Sequence, residues 1–372
     1  LKQVPSVNQN DNWLLLPYHQ EATMTKKLKL LFRILALSFI VLILFLVYQG
    51  WRYILAPNVV LKNNKTYLYI PTGATYDDVC QILETGKYLR NIKTFKWLAH
   101  RKDYPLHVKA GRYRLIDGMN NNELINMLRA GRQAPVTLTL RKFRTLPQLA
   151  AFLGKNLEPD SAQFIRAFYN EKILSHYQLT PQTVITIFIP NTYYLFWNTD
   201  EKALIERMYK EFEAFWDSAR MARARSLQLT PVEIITLASI VEEESNVKEE
   251  YPIIAGVYIN RLRKGMPLQA DPTVRYAMNG FQIKRILLKH LNYPSPYNTY
   301  LHQGLPPGPI CTPSIAAIDG VLNYASHNYL YFCAKPDFSG RHVFAKTLIE
   351  HNKNARAYQQ AVTNWLRKQK NS

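Results

Sequence analysis

The 372-residue sequence predicts an α+β protein with a single N-terminal transmembrane helix, a small α+β domain and a larger α+β domain. Three observations carry this reading. Ile34–Trp51 is an eighteen-residue run without a charge. After Pro57, short alternating strands followed by capped amphipathic helices recur. Residues 155–230 then read mainly as helix, interrupted by the extended aromatic stretch Ile187–Tyr194.

With Leu30–Phe32 in front, the apolar run reaches the ~20 residues needed to span a bilayer. Arg33 can snorkel at one end, and Tyr48, Trp51 and Tyr53 form an aromatic belt at the other. Lys26, Lys27, Lys29 and Arg33 precede the span and only Arg52 follows it closely, so the positive-inside rule puts the N-terminus in the cytoplasm and the bulk of the chain outside. A cleaved signal peptide would need a shorter core and small residues at its end, whereas this run ends in Gln-Gly-Trp-Arg. The expected boundaries are a cytoplasmic tail over 1–29 and a span over 30–54. Residues 1–23 are polar and rich in Asn and Gln, and Met24 would make a natural start, so they read either as a tail or as an upstream extension.

The formal net charge of +20 implies anionic surroundings. Lys and Arg are spread along the chain, with no zinc-finger spacing, RNA-binding signature or basic heptad helix. Acidic lipid or an acidic polymer therefore fits better than nucleic acid. Cys80, Cys311 and Cys333 form no Cys-x-x-Cys pair, so no metal site is expected. A Cys311–Cys333 bridge and buried thiols both stay open.

The first strand–helix unit is Thr66–Ile70 followed by a helix capped by Thr75, with Asp77 and Asp78 in its first turn. The second is Gly111–Leu115, then a helix from Asn122 to Ala130 closed by Gly131. The third is Val136–Leu140, then a helix over Leu146–Leu153. The small domain is placed at 58–135 and the larger one at 136–368.

Thr230-Pro231-Val232-Glu233 is a helix start, with Thr and Glu spaced for a capping box and Pro at the first helical position. The helix runs on to Glu242-Glu243-Glu244-Ser245. Adjacent helical side chains diverge by about 100°, so three carboxylates face three environments. Glu244 follows Val241, Ile240 and Leu237 on its own face and continues an apolar stripe. Partial desolvation there raises a carboxyl pKa, as a general acid requires. Read alone, the glutamate run is equally a solvated helix end.

The wider pattern adds to this. Ala238-Ser-Ile-Val-Glu-Glu-Glu-Ser245 is followed by Asn260-Arg-Leu-Arg-Lys-Gly-Met-Pro-Leu-Gln269-Ala-Asp271-Pro-Thr-Val-Arg275, Tyr297-Asn-Thr-Tyr300, Gly304-Leu-Pro-Pro-Gly-Pro-Ile-Cys-Thr-Pro313 and Tyr329-Leu-Tyr-Phe332. In this order the motifs resemble the YceG-like family of endolytic murein transglycosylases, over residues 25–368. The resemblance implies a YceG-type catalytic domain in an enzyme anchored in the bacterial inner membrane and facing the periplasm or wall. Its substrate would be peptidoglycan glycan strands, cut at the MurNAc–GlcNAc β-1,4 bond to leave 1,6-anhydro ends, which terminates strand elongation. No metal or organic cofactor is implied, and peptidoglycan synthases are implied as partners. The small domain resembles LysM-like glycan-binding modules.

Matched motif by motif, Glu244 is the implied catalytic acid and Glu242 the reserve. Gln269, Asp271, Asn298, Tyr300 and His342 are implied substrate contacts. Asp271 is equally suited to accepting backbone bonds before Pro272, His342 to a structural role, and Pro306-Pro307-Gly308 to a plain turn or a cleft wall. Three positions depart from the family pattern. Asn191 stands where Asp is frequent, Glu243 where Lys is common, making the site more acidic, and Ala345 where Asn is usual. The competing readings are an inactive peptidoglycan-binding scaffold and a hydrolase with Asp271 as second carboxyl.

Overall fold

The computed structural model describes residues 18–61, 66–283 and 285–370. Residues 1–17 of the expected tail lie outside the described residues. The chain divides into two compact units, Leu1–Arg132 and Gln133–Ser372.

The first unit opens with α1 (Tyr18–Ile54), which begins earlier than the expected span. Within it Thr25–Ile54 contains an 18-residue window of mean hydropathy 3.0 whose side chains are uncovered, so the helix is long and apolar enough to cross a membrane. Then come β1 (Tyr67–Ile70), α2 (Tyr76–Thr85), α3 (Ile92–Arg101), β2 (Gly111–Arg114) and α4 (Asn121–Ala130). The strands pair antiparallel, Tyr67 opposite Arg114 and Ile70 opposite Gly111. Their alternation buries Leu68, Ile70 and Tyr113 against Val79, Leu83, Phe95, Leu124 and Leu128 from the helices. Thr75 forms a full capping box with Asp78 at the start of α2. Asn120 does the same with Glu123, so α4 starts one residue before the expected Asn122. Gly131 closes α4 with φ +70, a left-handed conformation that costs glycine little.

The second unit begins with β3 (Val136–Thr139), α5 (Leu146–Asn156), α6 (Ser161–Phe168) and α7 (Glu171–Ser175). It continues through β4 (Thr192–Leu195), α8 (Glu201–Phe215), α9 (Ser218–Leu227) and α10 (Pro231–Glu244). Next are α11 (Tyr251–Arg263), α12 (Asp271–Ala277), α13 (Leu288–Leu291) and α14 (Ile315–Leu322). The hairpin β5 (Tyr331–Ala334) and β6 (His342–Ala345) and the long α15 (Leu348–Lys370) close it.

The third strand–helix unit read in the sequence does not extend the first sheet. β3 pairs antiparallel with β4, more than fifty residues away, with Val136 opposite Leu195. Local alternation sets the strand but not its partner. Helix α10 is the hub of this unit. Ile234 through Val241 are all buried, and α10 packs against α11, α12 and α14. Each large apolar side chain so buried is worth roughly 1.5–3 kcal/mol, which fixes the helix that carries the glutamate run.

Candidate active site

Helix α10 starts on the capping box read in the sequence. Thr230 Oγ1 accepts from the Glu233 amide, and Glu233 Oε2 accepts from the Thr230 amide at 2.7 Å. The helix ends on Glu244, so its last three side chains project from a rigid rod into three settings.

Glu242 turns to α14. Its Oε2 accepts from the Ser314 hydroxyl at 2.5 Å and the Ser314 amide at 3.2 Å, and Ser314 is the N-cap of α14. It does not line the cleft described below. Glu243 turns to the β3–α5 loop. Lys142 Nζ lies 2.9 Å from one of its oxygens, and Arg144 donates to both. Burial pushes the Glu243 carboxyl up, but these two cations outweigh it and hold it below the usual range. Lys142 and Arg144 match the charge of Glu243, which still adds a smaller push upward on the Glu244 carboxyl.

Glu244 faces a cleft of about 320 Å³. Its Oε1 accepts from the Tyr258 hydroxyl of α11 at 2.6 Å, and Oε2 has no hydrogen bond among the described residues. Burial pushes its carboxyl up to about 7; the Tyr258 bond pulls the other way and the nearby Asp271 carboxylate adds to the rise. One glutamate is thus held anionic and its neighbour half protonated at neutral pH, by environment alone.

The opposite wall comes from two distant segments locked together. The Ala270 amide donates to Thr299 Oγ1 at 3.0 Å, and the hydroxyls of Thr273 and Thr299 lie 2.9 Å apart. Asp271 opens α12, and its Oδ1 accepts from the Tyr300 hydroxyl at 2.6 Å. Asp271 and Tyr300 both line the cleft. Gln269 sits at its rim with φ +51, a left-handed conformation that disfavours a side chain. Two bonds hold it there. Its amide donates to the Thr299 carbonyl at 3.0 Å, and its Oε1 accepts from Arg261 at 2.5 Å.

His342, on β6, also lines the cleft. Its amide and Nδ1 meet the two oxygens of the buried Glu250 at 2.8 and 2.7 Å, and Ser245 Oγ donates to the same carboxylate at 3.1 Å. Burial pushes the Glu250 carboxyl up, yet the His342 contacts outweigh it and hold it low. This clasp ties the hairpin to the residue that follows Glu244.

Placement corrects the reading of Asn298 and decides between the two left open for Pro306–Gly308. Asn298 is fully buried and does not line the cleft. Its amide donates to the carbonyls of Leu291 and Tyr293 at 2.8 and 2.9 Å, and its Oδ1 accepts from the Tyr300 amide at 3.0 Å. It shapes the turn that aims Tyr300, with both side-chain N–H donors already used within the turn. The Pro306–Gly308 segment is likewise not a wall of this cleft. It leads to Ile310, whose amide donates to Ser239 Oγ on α10. Gly308 lies so close to the Gln182 carbonyl that a Cβ would sit 2.2 Å from its oxygen, so only glycine fits. The three cysteines are unpaired, with Cys333 in the cleft lining.

Tyr258, Arg261, Glu250 and His351 were not singled out in the sequence. Tyr258 and Arg261 carried a usable signal, being polar residues three apart on a buried helix and therefore on one face. Glu250 and His351 carried none.

The cleft thus gathers two carboxylates, Glu244 and Asp271, with three phenols, one amide, two imidazoles and a guanidinium, a lining suited to a polar, oxygen-rich ligand. Comparison with known proteins gives the particular class. The YceG-like family matches residues 68–357. This chain belongs to the YceG-like family. It is similar to the endolytic murein transglycosylase of Bacillus subtilis strain 168, at 32% identity over 315 residues, which are 80% of this chain and 86% of that one. It also resembles the protein of the same name from Streptococcus pneumoniae strain D39, at 29% identity over 341 residues, and spans 61% of that longer relative. The 2.6 Å crystal structure of a YceG-like protein from Listeria monocytogenes superposes with a TM-score of 0.51 at 29% identity, covering 77% of this chain and 97% of that one.

Proposed function

We propose that this chain is an endolytic murein transglycosylase that cuts the MurNAc–GlcNAc β-1,4 bond within nascent glycan strands and leaves 1,6-anhydro-MurNAc ends. The observation that carries this is the Glu244 carboxyl, raised to about 7 with one oxygen free toward the cleft. Protonated Glu244 gives its proton to the glycosidic oxygen as the C1–O bond breaks. The resulting carboxylate then takes the proton of the muramyl C6 hydroxyl as O6 bonds to C1. The proton count balances and no water is consumed. Two-carboxylate glycosidases need their second group because water or the protein supplies the nucleophile. Here the substrate supplies it. Asp271, held by Tyr300, faces the positive charge that develops on the sugar ring. Gln269, Tyr300 and His342 are the polar groups positioned to orient sugar hydroxyls and N-acetyl groups.

The apolar helix of the first unit fits a single-pass anchor, and by the positive-inside rule Lys26, Lys27, Lys29 and Arg33 favour a second unit outside the cytoplasm. The small unit is read as a LysM-like glycan-binding module, and wall-synthesis enzymes as neighbours. Growth of a strand would end where it is cut.

One observation favours a hydrolytic reading, namely that Asp271 lines the same cleft as Glu244. Mass spectrometry of purified wall glycan treated with the full-length protein separates the readings. Anhydro-muramyl ends support the transglycosylase, reducing muramyl ends the hydrolase, and uncut strands a binding scaffold.

A further inference from the structure

A second cavity, of about 580 Å³, lies beside the cleft and has no role in the reaction above. Three connections place it there. Helix α12 carries Asp271 of the cleft at one end and Tyr276 of the cavity at the other, about 7.5 Å along the axis at 1.5 Å per residue. The turn that presents Tyr300 to the cleft presents Tyr297 to the cavity. Arg144, paired with Glu243 next to Glu244, lies over the ring of Phe281, which lines the cavity.

The lining has an unusual character. Tyr169, Tyr276, Phe281 and Tyr297 supply four aromatic rings, with Tyr276 and Tyr297 only 4.8 Å apart. Gln148 and Gln182 supply side-chain amides, and both are exposed. No charged side chain is among the lining residues. The larger groove between α7 and α8, about 850 Å³, is different: it carries Lys172, Lys202, Lys210, Glu206 and Glu213. Flat rings meet the C–H faces of pyranoses, and amides pair with hydroxyl and N-acetyl groups. The volume falls within the range of small-ligand sites.

We propose that this cavity is a distal subsite for N-acetylhexosamine units of the same glycan strand, away from the bond being cut. The inference rests on the endolytic reading, since a strand cut internally must continue past the cleft. Holding a remote segment supplies binding energy that a short oligomer cannot draw on.

The test uses the full chain and the variants Tyr169→Ala and Gln182→Ala. Both positions are exposed, Tyr169 at 57%. Cleavage is measured on long peptide-free glycan strands and on a peptide-free tetrasaccharide. In the variants the ratio of KM on strands to KM on tetrasaccharide should rise about fivefold. An unchanged ratio overturns the subsite. A separate binding measurement titrates chitohexaose into the Glu244→Gln chain with and without Tyr169→Ala. Weaker binding with Tyr169→Ala supports the subsite even if the unaltered protein cuts nothing, an outcome that would sink only the transglycosylase reading. Equal binding, or displacement of chitohexaose by free stem peptide, overturns it.

Discussion

Glu243 and Glu244 are adjacent on one helix, yet their surroundings drive them in opposite directions. On the Glu243 face, Lys142 and Arg144 meet a carboxylate that is otherwise buried, and the anion wins. On the Glu244 face, burial and the Asp271 carboxylate outweigh the Tyr258 donor and the weaker pull of Arg275, and the proton is kept to about 7. Burial pushes both groups up. The difference lies in the partners, and it teaches that desolvation raises a carboxyl where no cation bonds to it directly.

Breaking the Glu244 face should give the largest effect. Glu244→Gln keeps size and removes the transferable proton, so cleavage should fall at least about 10³-fold, read as anhydro-ended product by mass spectrometry. The same change should stabilise the fold at alkaline pH. A folded pKa raised to about 7 lets the native state hold a proton that the unfolded state has released. Native stability therefore falls as pH rises from the ordinary carboxylate range through about 7. Thermal melts at pH 8 should place Glu244→Gln above the unaltered protein by at most about 3 kcal/mol, with the gap closing near pH 4. A melt difference independent of pH would contradict the assignment.

Tyr258→Phe sharpens the comparison. Tyr258 is the donor that pulls the Glu244 carboxyl down, so its loss should shift the alkaline fall of the pH–rate profile to higher pH and lower the maximal rate about tenfold. An unshifted profile would mean that another group sets that limb.

Glu243→Gln tests the opposite face. Its folded pKa is depressed, so its stabilisation is present above the unfolded carboxylate range and lost as pH falls through the folded value. At pH 7 the variant should lose about 1–2 kcal/mol, because both cations keep more than a third of their side chains in water. Denaturant melts at pH 7 and pH 3 check this, and the difference should shrink at the lower pH. Glu242→Gln should be the mildest, within about threefold of normal cleavage and about 1 kcal/mol of stability, since it keeps an acceptor for Ser314. If Glu242→Gln abolished cleavage and Glu244→Gln did not, the roles of the two would be exchanged.

Local elements were legible in the sequence wherever a short-range rule governed them. The N-cap at Thr75, the capping box at Thr230, the closing Gly131 and the apolar run of α1 all formed as read. The partner of β3 was not legible, nor was the docking of the Ala270–Thr273 segment on Thr299, because both join residues far apart in the chain. For the same reason Asn298, which looks like a substrate contact as part of a motif, is a buried brace for Tyr300. Glu250 gave no local hint at all, since its role depends on His342 arriving from another hairpin.

Sequence by itself determined that three carboxylates leave α10 in three directions and that Glu244 leaves on the apolar side, because helical geometry fixes both. Only the tertiary structure decided that Glu244 keeps its proton more readily than Glu243. That choice depends on Lys142 and Arg144 reaching Glu243 while Tyr258 reaches Glu244, and electrostatics acts through space rather than along the chain.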